Sequence, residues 1–181
     1  MTALPPFPAP GGPPPPAPVA LHAHGLVLRH AGERDLPGLR RLYGETRAAE
    51  MAQVPWPPGL KASFLDQQFA LQHRHYVAHY PDADFLVIEA GTELAGRFYL
   101  QRTSPLHLVV DISLFEGWRG RGLGRALIEA AQAEAAALGR GVALSVAHAN
   151  PAARRLYVRL GFEPVGSNDT HERLAWRPSL S

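Results

Sequence analysis

Apolar and polar positions change period several times along the chain, and each change marks an element. "GLVLRH", from Gly25, alternates as a strand does. In "ERDLPGLRRLYGETRAAEM" the residues Leu36, Leu39, Leu42 and Tyr43 return at helical spacing, Asp35 stands where a helix cap belongs, and Pro37 suits a first turn. "VPWPPG" ends that helix, and a second is predicted from about Ala62 to Tyr80, burying Phe64, Leu65, Phe69, Tyr76 and Val77. Three apolar runs follow, "FLVIEAG", "GRFYLQR" and "LHLVVDISLF", separated by turn-forming residues, which predicts an antiparallel meander. "GLGRALIEAAQAEAAALGRG" is helical on propensity, with Leu127, Ile128, Ala131, Ala135 and Leu138 along one stripe and Gly139 as a stop. "VALSV" then reads as a strand, "NPAARRLYVRLGF" as a short helix with Pro151 in its first turn, and "ERLAW" as a last strand.

That order, in part alternating and in part segregated, predicts a mixed α/β or α+β domain rather than a purely parallel sheet. No segment repeats itself, and 181 residues with 46% hydrophobic content suffice for one core. Residues 1–24 differ in kind. They hold half of the 18 prolines, with neither the basic start nor the apolar run of a signal peptide. Proline favours the extended, donor-poor polyproline form, so this segment is expected to project as a mostly unpacked, disordered tail before a domain at 25–181. No apolar run approaches the ~18 residues of a membrane span.

Charge and composition add exclusions. The net charge is +2, the pI is near 9.3 and Lys61 is the only lysine, a balance too weak to argue for nucleic acid. The absence of cysteine removes disulfides, thiolate metal sites and a cysteine nucleophile, and is consistent with a cytoplasmic protein. His75 and His79 stand one helical turn apart, but no third ligand accompanies them, so no metal is expected.

The candidate chemistry lies in "WRGRGLGRALIEAAQ". A helix start leaves four N–H groups unbonded and carries about half a positive charge, which suits an anion. Gly120, Gly122 and Gly124 would let a phosphate approach the backbone, and Arg119, Arg121 and Arg125 would add charge. Alone, such a loop reads equally well as a tight strand-to-helix turn. A Walker-type loop is excluded because no Gly-Lys-Ser/Thr occurs, and a dinucleotide loop because Arg125 stands at its third glycine.

Three pieces in order carry more information. "RGRGLG" fits R-x-x-G-x-G at Arg119, Gly122 and Gly124, it follows "VVDISLF", and "NPAARRLYVRLGF" comes about thirty residues later with Asn150, Ala153, Tyr157, Gly161 and Phe162. This arrangement resembles the GCN5-related N-acetyltransferase (GNAT) family, and the likeness in element order runs from about Gly25 to Trp176. It implies a mostly antiparallel mixed sheet of about six to seven strands, flanked by helices, with a splayed central strand pair between Leu108 to Phe115 and Val142 to Val146. It also implies acetyl-CoA as co-substrate, with Ile112, Ser113 and Leu114 pairing with the pantetheine and the Leu114 N–H facing the thioester oxygen. The pyrophosphate would lie on Arg119, Gly120, Arg121, Gly122, Leu123, Gly124 and Arg125, and Asn150 and Ala153 would lie beside the pantetheine.

By the same resemblance Tyr157 is the acid that protonates the departing thiolate, although beside Leu156 and Leu160 it also reads as core packing. Asn150 also reads as a helix cap. The family's glutamate falls on Leu108, so no base is matched. Asp111 is on the same strand but on the opposite face unless a bulge intervenes, and it also reads as a structural aspartate; Glu89 and water are the other candidates. Arg154, Arg155 and Arg159 read first as a solvated face, Phe98 as core, and Tyr99 and Trp56 as possible pocket residues. The implied activity is acetyl transfer to a primary amine, on a small molecule or a protein, by direct attack on the thioester. A non-catalytic acetyl-CoA or CoA sensor, and a basic protein- or nucleic-acid-binding module, are the alternatives. An edge strand near Glu172 to Trp176 could support a homodimer.

Overall fold

The structure, a computed structural model, describes residues 3–179. Seven strands form one sheet: β1 (Leu26–His30), β2 (Asp84–Ala90), β3 (Glu93–Gln101), β4 (Leu106–Leu114), β5 (Gly141–Ala147), β6 (Glu163–Ser167) and β7 (His171–Trp176). Their order is β1-β2-β3-β4-β5-β7-β6, and every pair is antiparallel except β4 with β5. The expected meander is β2 to β4. β6, "EPVGS", escaped the hydrophobic pattern because it is exposed throughout and contains Pro and Gly. Its presence corrects the expected edge: Glu172 to Trp176 lie between β5 and β6, and the sheet's edges are β1 and β6.

Helices cover both faces. On one, α1 (Val19–His22), α5 (Leu123–Ala137) and α6 (Pro151–Arg159) enclose the larger core, in which Leu21, Leu26, Leu86, Ile88, Leu127, Ile128 and Leu174 are buried. The expected stripe of α5 is buried up to Ala135, but Leu138 is 55% exposed because the helix has ended one residue before it. On the other face, α2 (Leu36–Thr46), the short α3 (Ala48–Ala52) and α4 (Pro58–His79) cover a second core of Leu39, Leu42, Tyr43, Phe69 and Val87. α4 begins four residues earlier than expected, using Pro58 at its first turn. Asp35 does not cap α2. Its carboxylate accepts from both terminal nitrogens of Arg29 (2.8 and 2.7 Å) and from the Gly32 N–H (2.8 Å).

The proline-rich segment differs from its expected unpacked form. Phe7 lies edge-on to His73, with ring centroids 4.8 Å apart, and packs on Phe85 at 5.5 Å. A polyproline segment has no internal hydrogen bonds, so its carbonyls are available: Pro5 O lies 2.8 Å from His73 Nε2, and Gly12 O lies 3.0 Å from His30 Nε2. Further on, Leu21 is wholly buried against the main core.

Two irregularities shape the middle of the sheet. β4 and β5 pair only from Leu106/Gly141 to Val109/Leu144, and beyond that they diverge. Between Tyr99/Asp111 and Leu100/Val109 the β3–β4 register slips by one residue, leaving Val110 as a bulge. Gln101 opposes Leu108 and Tyr99 opposes Asp111, so the bulge turns Leu108 and Asp111 to the same face, towards α2 and α4.

Gly96 of β3 opposes Leu114 at the end of β4. A Cβ there would stand 2.3 Å from the Ser113 carbonyl oxygen and 2.8 Å from a Leu114 methyl, and the first of these is backbone that cannot rotate away. Gly96→Ala should therefore cost about 1–3 kcal/mol, read as a lower urea midpoint. An unchanged midpoint would mean that β3 and β4 can separate freely.

Candidate active site

The divergence of β4 from β5 leaves backbone groups facing a gap. Phe115 N–H donates to Ala95 O at 3.0 Å, which makes Gly96 and Leu114 a non-hydrogen-bonded pair, so the N–H and C=O of Leu114 point away from β3. The same alternation turns those of Ile112 towards the gap. The Leu114 carbonyl is taken by Arg119 Nε at 2.8 Å. Its N–H finds no acceptor among the described residues.

The glycine loop continues this row of donors. Gly120 and Gly122 have φ of 71° and 75°, a left-handed backbone that disfavours any side chain, and Gly122 immediately precedes α5. No backbone or side-chain acceptor among the described residues meets the N–H groups from Gly120 to Arg125, and α5 has no side-chain cap. An anion is the natural complement of such a row at a helix start.

These features border one cleft of ≈ 760 Å³. It brings together Ile112, Ser113, Leu114, Arg119, Gly120, Gly122, Leu123, Gly124, Arg125, Asn150, Ala153 and Tyr157, nearly every residue singled out for acetyl-CoA, and adds Arg159. Arg121 is the exception, since its guanidinium lies 4.9 Å from the Trp118 ring and lines a separate hollow. The other loop arginines are engaged too: Arg125 pairs with Glu129 at 2.9 Å, and Arg119 reaches Glu45 as well as Leu114. Asn150 caps α6, its Oδ1 accepting from Ala153 N–H at 3.1 Å, while the residue borders the cleft.

A second cleft of ≈ 410 Å³ opens on the other side of the gap. Thr46, Ile112, Ser113, Asn150, Ala153 and Tyr157 border both. Tyr157 is buried against Phe162, and its phenol meets no hydrogen-bond partner among the described residues. Burial, reinforced by the negative charge of Asp111, pushes its pKa up to about 12.

Asp111 borders the second cleft in a bound state. Arg97 donates to both its oxygens (3.0 and 2.8 Å), Tyr76 Oη to Oδ2 (2.8 Å) and Ser113 Oγ to Oδ1 (2.8 Å). Four donors occupy the four lone-pair sites of a carboxylate, which leaves none to accept a substrate proton. Arg97 is 3% exposed and also donates to Gln72 Oε1 at 2.8 Å. Burial alone would depress its pKa, but the Asp111 charge beside it raises it further. Glu89 lies elsewhere, accepting twice from Arg29 at 2.8 Å. Tyr99 is core beneath Arg97, Phe98 is core on the opposite face, and Trp56 packs on Phe64; none borders either cleft.

Sequence reasoning missed Arg97, Gln72 and the polar role of Tyr76, because a buried arginine inside an apolar strand carries no periodic signal. It also missed Thr46 and His171, which border the second cleft. His79 Nδ1 lies 2.9 Å from its neighbour's carbonyl, that of His75, and the described residues contain no group of three His, Cys, Asp or Glu placed to hold a metal. Arg154 pairs with Glu172 at 2.6 Å. Among the described residues no helix is long and apolar enough to cross a membrane.

The model of the acetyltransferase (GNAT) family matches residues 39–162. None of the curated proteins compared matches the chain. Among solved structures, the PaiA N-acetyltransferase of Thermoplasma acidophilum, in complex with coenzyme A, superposes with a TM-score of 0.64 at 16% identity, over 84% of this chain and 99% of that one. The ribosomal-protein-S18-alanine N-acetyltransferase of Escherichia coli gives 0.57 at 19% identity, over 86% and 96%. A histone acetyltransferase HPA2 and related acetyltransferase of Corynebacterium glutamicum gives 0.60 at 20%, over 87% and 98%. At these identities the likeness is one of fold: an open, mostly antiparallel mixed sheet between helices.

Removing one partner of the Arg97–Asp111 pair strands a charge in the interior. Asp111→Ala should therefore lose about 3–5 kcal/mol of folding stability, and Asp111→Asn, which keeps an acceptor oxygen, should lose less. Equal, negligible losses in urea denaturation would show that the pair is not structural.

Proposed function

Because the chain belongs to the acetyltransferase (GNAT) family, we propose that it binds acetyl-CoA in the larger cleft and transfers the acetyl group to a primary amine entering from the smaller one. One observation carries the reading. The row of backbone N–H groups from Gly120 to Arg125 has no acceptor among the described residues, and it opens into the cleft that also receives the inner edge of β4. The coenzyme A held by the Thermoplasma neighbour supports the choice of donor.

The residues fit such a donor along its length. The loop N–H groups would hold the pyrophosphate, Arg119 would add positive field, and Ile112 would offer its N–H and C=O to pantetheine amides. Acetyl-CoA supplies an activated acyl group; the remaining requirements fall on the chain. The free N–H of Leu114 would donate to a carbonyl oxygen as negative charge develops on it. Tyr157, at the wall shared by both clefts, holds a proton to give to the departing sulfur. Its raised pKa keeps that proton available throughout the neutral range.

The saturated Asp111 and the absence of a glutamate at Leu108 favour one second reading, a sensor that binds the donor and transfers nothing. Release of free thiol from acetyl-CoA in the presence of amines separates the two. The acceptor class we propose is a polar amine, since Thr46, Gln72, Tyr76, Tyr80 and Ser145 border its side of the gap. A small-molecule or protein amine and a cytoplasmic setting remain parts of this proposal.

Acetyl-CoA at ~100 times its dissociation constant should stabilise the fold by about 2.7 kcal/mol, seen as a rise in Tm; no rise would remove the donor assignment. Tyr157→Phe should lower kcat by about 10²- to 10⁴-fold and leave the KM for acetyl-CoA nearly unchanged. With the wild-type phenol at about 12, loss of its proton should not reduce turnover below about pH 10. A Tyr157→Phe variant with wild-type kcat would exclude Tyr157 from the chemistry.

A further inference from the structure

Resting on the acetyl-transfer reading above, the question that remains is which group takes the proton of an acceptor ammonium. Five titratable side chains border the acceptor cleft: Tyr76, Tyr80, Asp111, Tyr157 and His171. Asp111 is filled by four donors, and Tyr76 spends its own proton on Asp111. Tyr157 is needed as an acid, and phenols hold their proton at neutral pH. His171 remains, and its surroundings determine which ring nitrogen carries hydrogen.

The chain of hydrogen bonds starts at Asn168 in the turn between β6 and β7. Its side-chain oxygen accepts from Thr170 N–H (2.9 Å) and from His171 N–H (2.8 Å). Two backbone donors on one atom identify that atom as the oxygen, since an amide nitrogen could accept from neither. Thr170 Oγ1 lies 3.2 Å from the same oxygen, which has no hydrogen to give and so takes the hydroxyl as donor. With its hydrogen committed, Thr170 Oγ1 offers a lone pair to His171 Nδ1 at 2.9 Å. In that arrangement the imidazole hydrogen lies on Nδ1, and Nε2 carries the free lone pair. Nε2 meets no partner among the described residues.

The turn itself is held. Asn168 N–H donates to His171 O at 2.9 Å, and His148 N–H to Thr170 O at 3.0 Å, so the hairpin is tied to the end of β5. The nearby charges are Glu172, ion-paired with Arg154, together with Asp169 and Arg173 on the same hairpin and the His148 ring, 2.8 Å from Asn168 O.

We propose that His171 Nε2 is the general base of the transfer, with Thr170 and Asn168 as the residues that fix its tautomer. The acceptor ammonium gives one proton to Nε2, leaving a neutral amine and an imidazolium. As the C–N bond forms and the C–S bond breaks, the thiolate takes the proton of Tyr157. The second proton shed by the nitrogen returns to that tyrosinate, and the imidazolium releases its proton to water.

The test has two arms on the full chain. Long-range ¹H–¹⁵N spectra of the wild-type protein, assigned with His171→Gln, should show the neutral His171 ring protonated on Nδ1; Thr170→Val should remove that bias. A ring protonated on Nε2 overturns the proposal without any activity being measured. In the second arm, thiol release from acetyl-CoA is followed with a panel of primary alkylamines, amino-acid amides and short peptides. His171→Gln should lower kcat/KM by about 10²-fold or more at neutral pH and lose the acid limb of its pH profile. It should recover towards wild type near the acceptor's own pKa, where the amine is already neutral. Retention of the acid limb by His171→Gln sinks the base assignment while leaving acetyl transfer intact. If the wild-type protein neither gains stability with acetyl-CoA nor releases thiol, the transfer reading itself falls, and the base assignment falls with it.

Discussion

The parting of β4 from β5 after Val109 and Leu144 is the constraint on which the rest of the molecule turns. Strands in the middle of a sheet normally satisfy one another, and an unpaired N–H or C=O there carries a penalty of the order of a lost hydrogen bond. Such a parting persists only if something holds the strands apart and something else answers the exposed groups. Here β4 is fixed to β3 by the Arg97–Asp111 pair as well as by its ladder, and Glu45 of α2 receives the Glu116 N–H and the Arg119 guanidinium just past the end of β4. The strand that leaves is thus β5, and what answers β4 must come from solution.

Many of the arginines are already paired with carboxylates. Arg97 is neutralised by Asp111, Arg29 by Asp35 and Glu89, Arg125 by Glu129 and Arg154 by Glu172. What remains for an anion is chiefly backbone: aligned N–H groups at the start of a helix whose left-handed glycines hold the loop open. A rigid row of dipoles requires no side-chain ordering when ligand arrives, whereas free arginines would have to give up rotamer entropy.

Much of this was legible in the sequence, for a reason that can be named. A left-handed turn into a helix needs glycines, and a capped short helix needs its Asn-Pro, so Gly120, Gly122 and Asn150 declare themselves locally. The meander is equally local, since period-two alternation marks β2 to β4. What failed to show depends on pairing across distance. β6 has no apolar face to betray it, and the register slip at Val110 exists only relative to β3. Asp35 has the residue type and place of a cap, yet Arg29 outcompetes the helix for it. The proline-rich segment reads as tail by composition, and only the hollow formed by Phe85 and His73 makes a place for Phe7.

The slip at Val110 also accounts for the missing glutamate. It turns Asp111 to the same face as Leu108, so a carboxylate at position 108 would share a face of β4 with the one already there. The Asp111 carboxylate already occupies Arg97, Tyr76 and Ser113 together, and those donors are then unavailable to a second carboxylate. Like charges sharing such a site force one of them to hold its proton, which would make a poor base of either. An apolar Leu108 is the arrangement compatible with a structural Asp111, and it leaves the proposed proton acceptor to the β6–β7 hairpin across the gap.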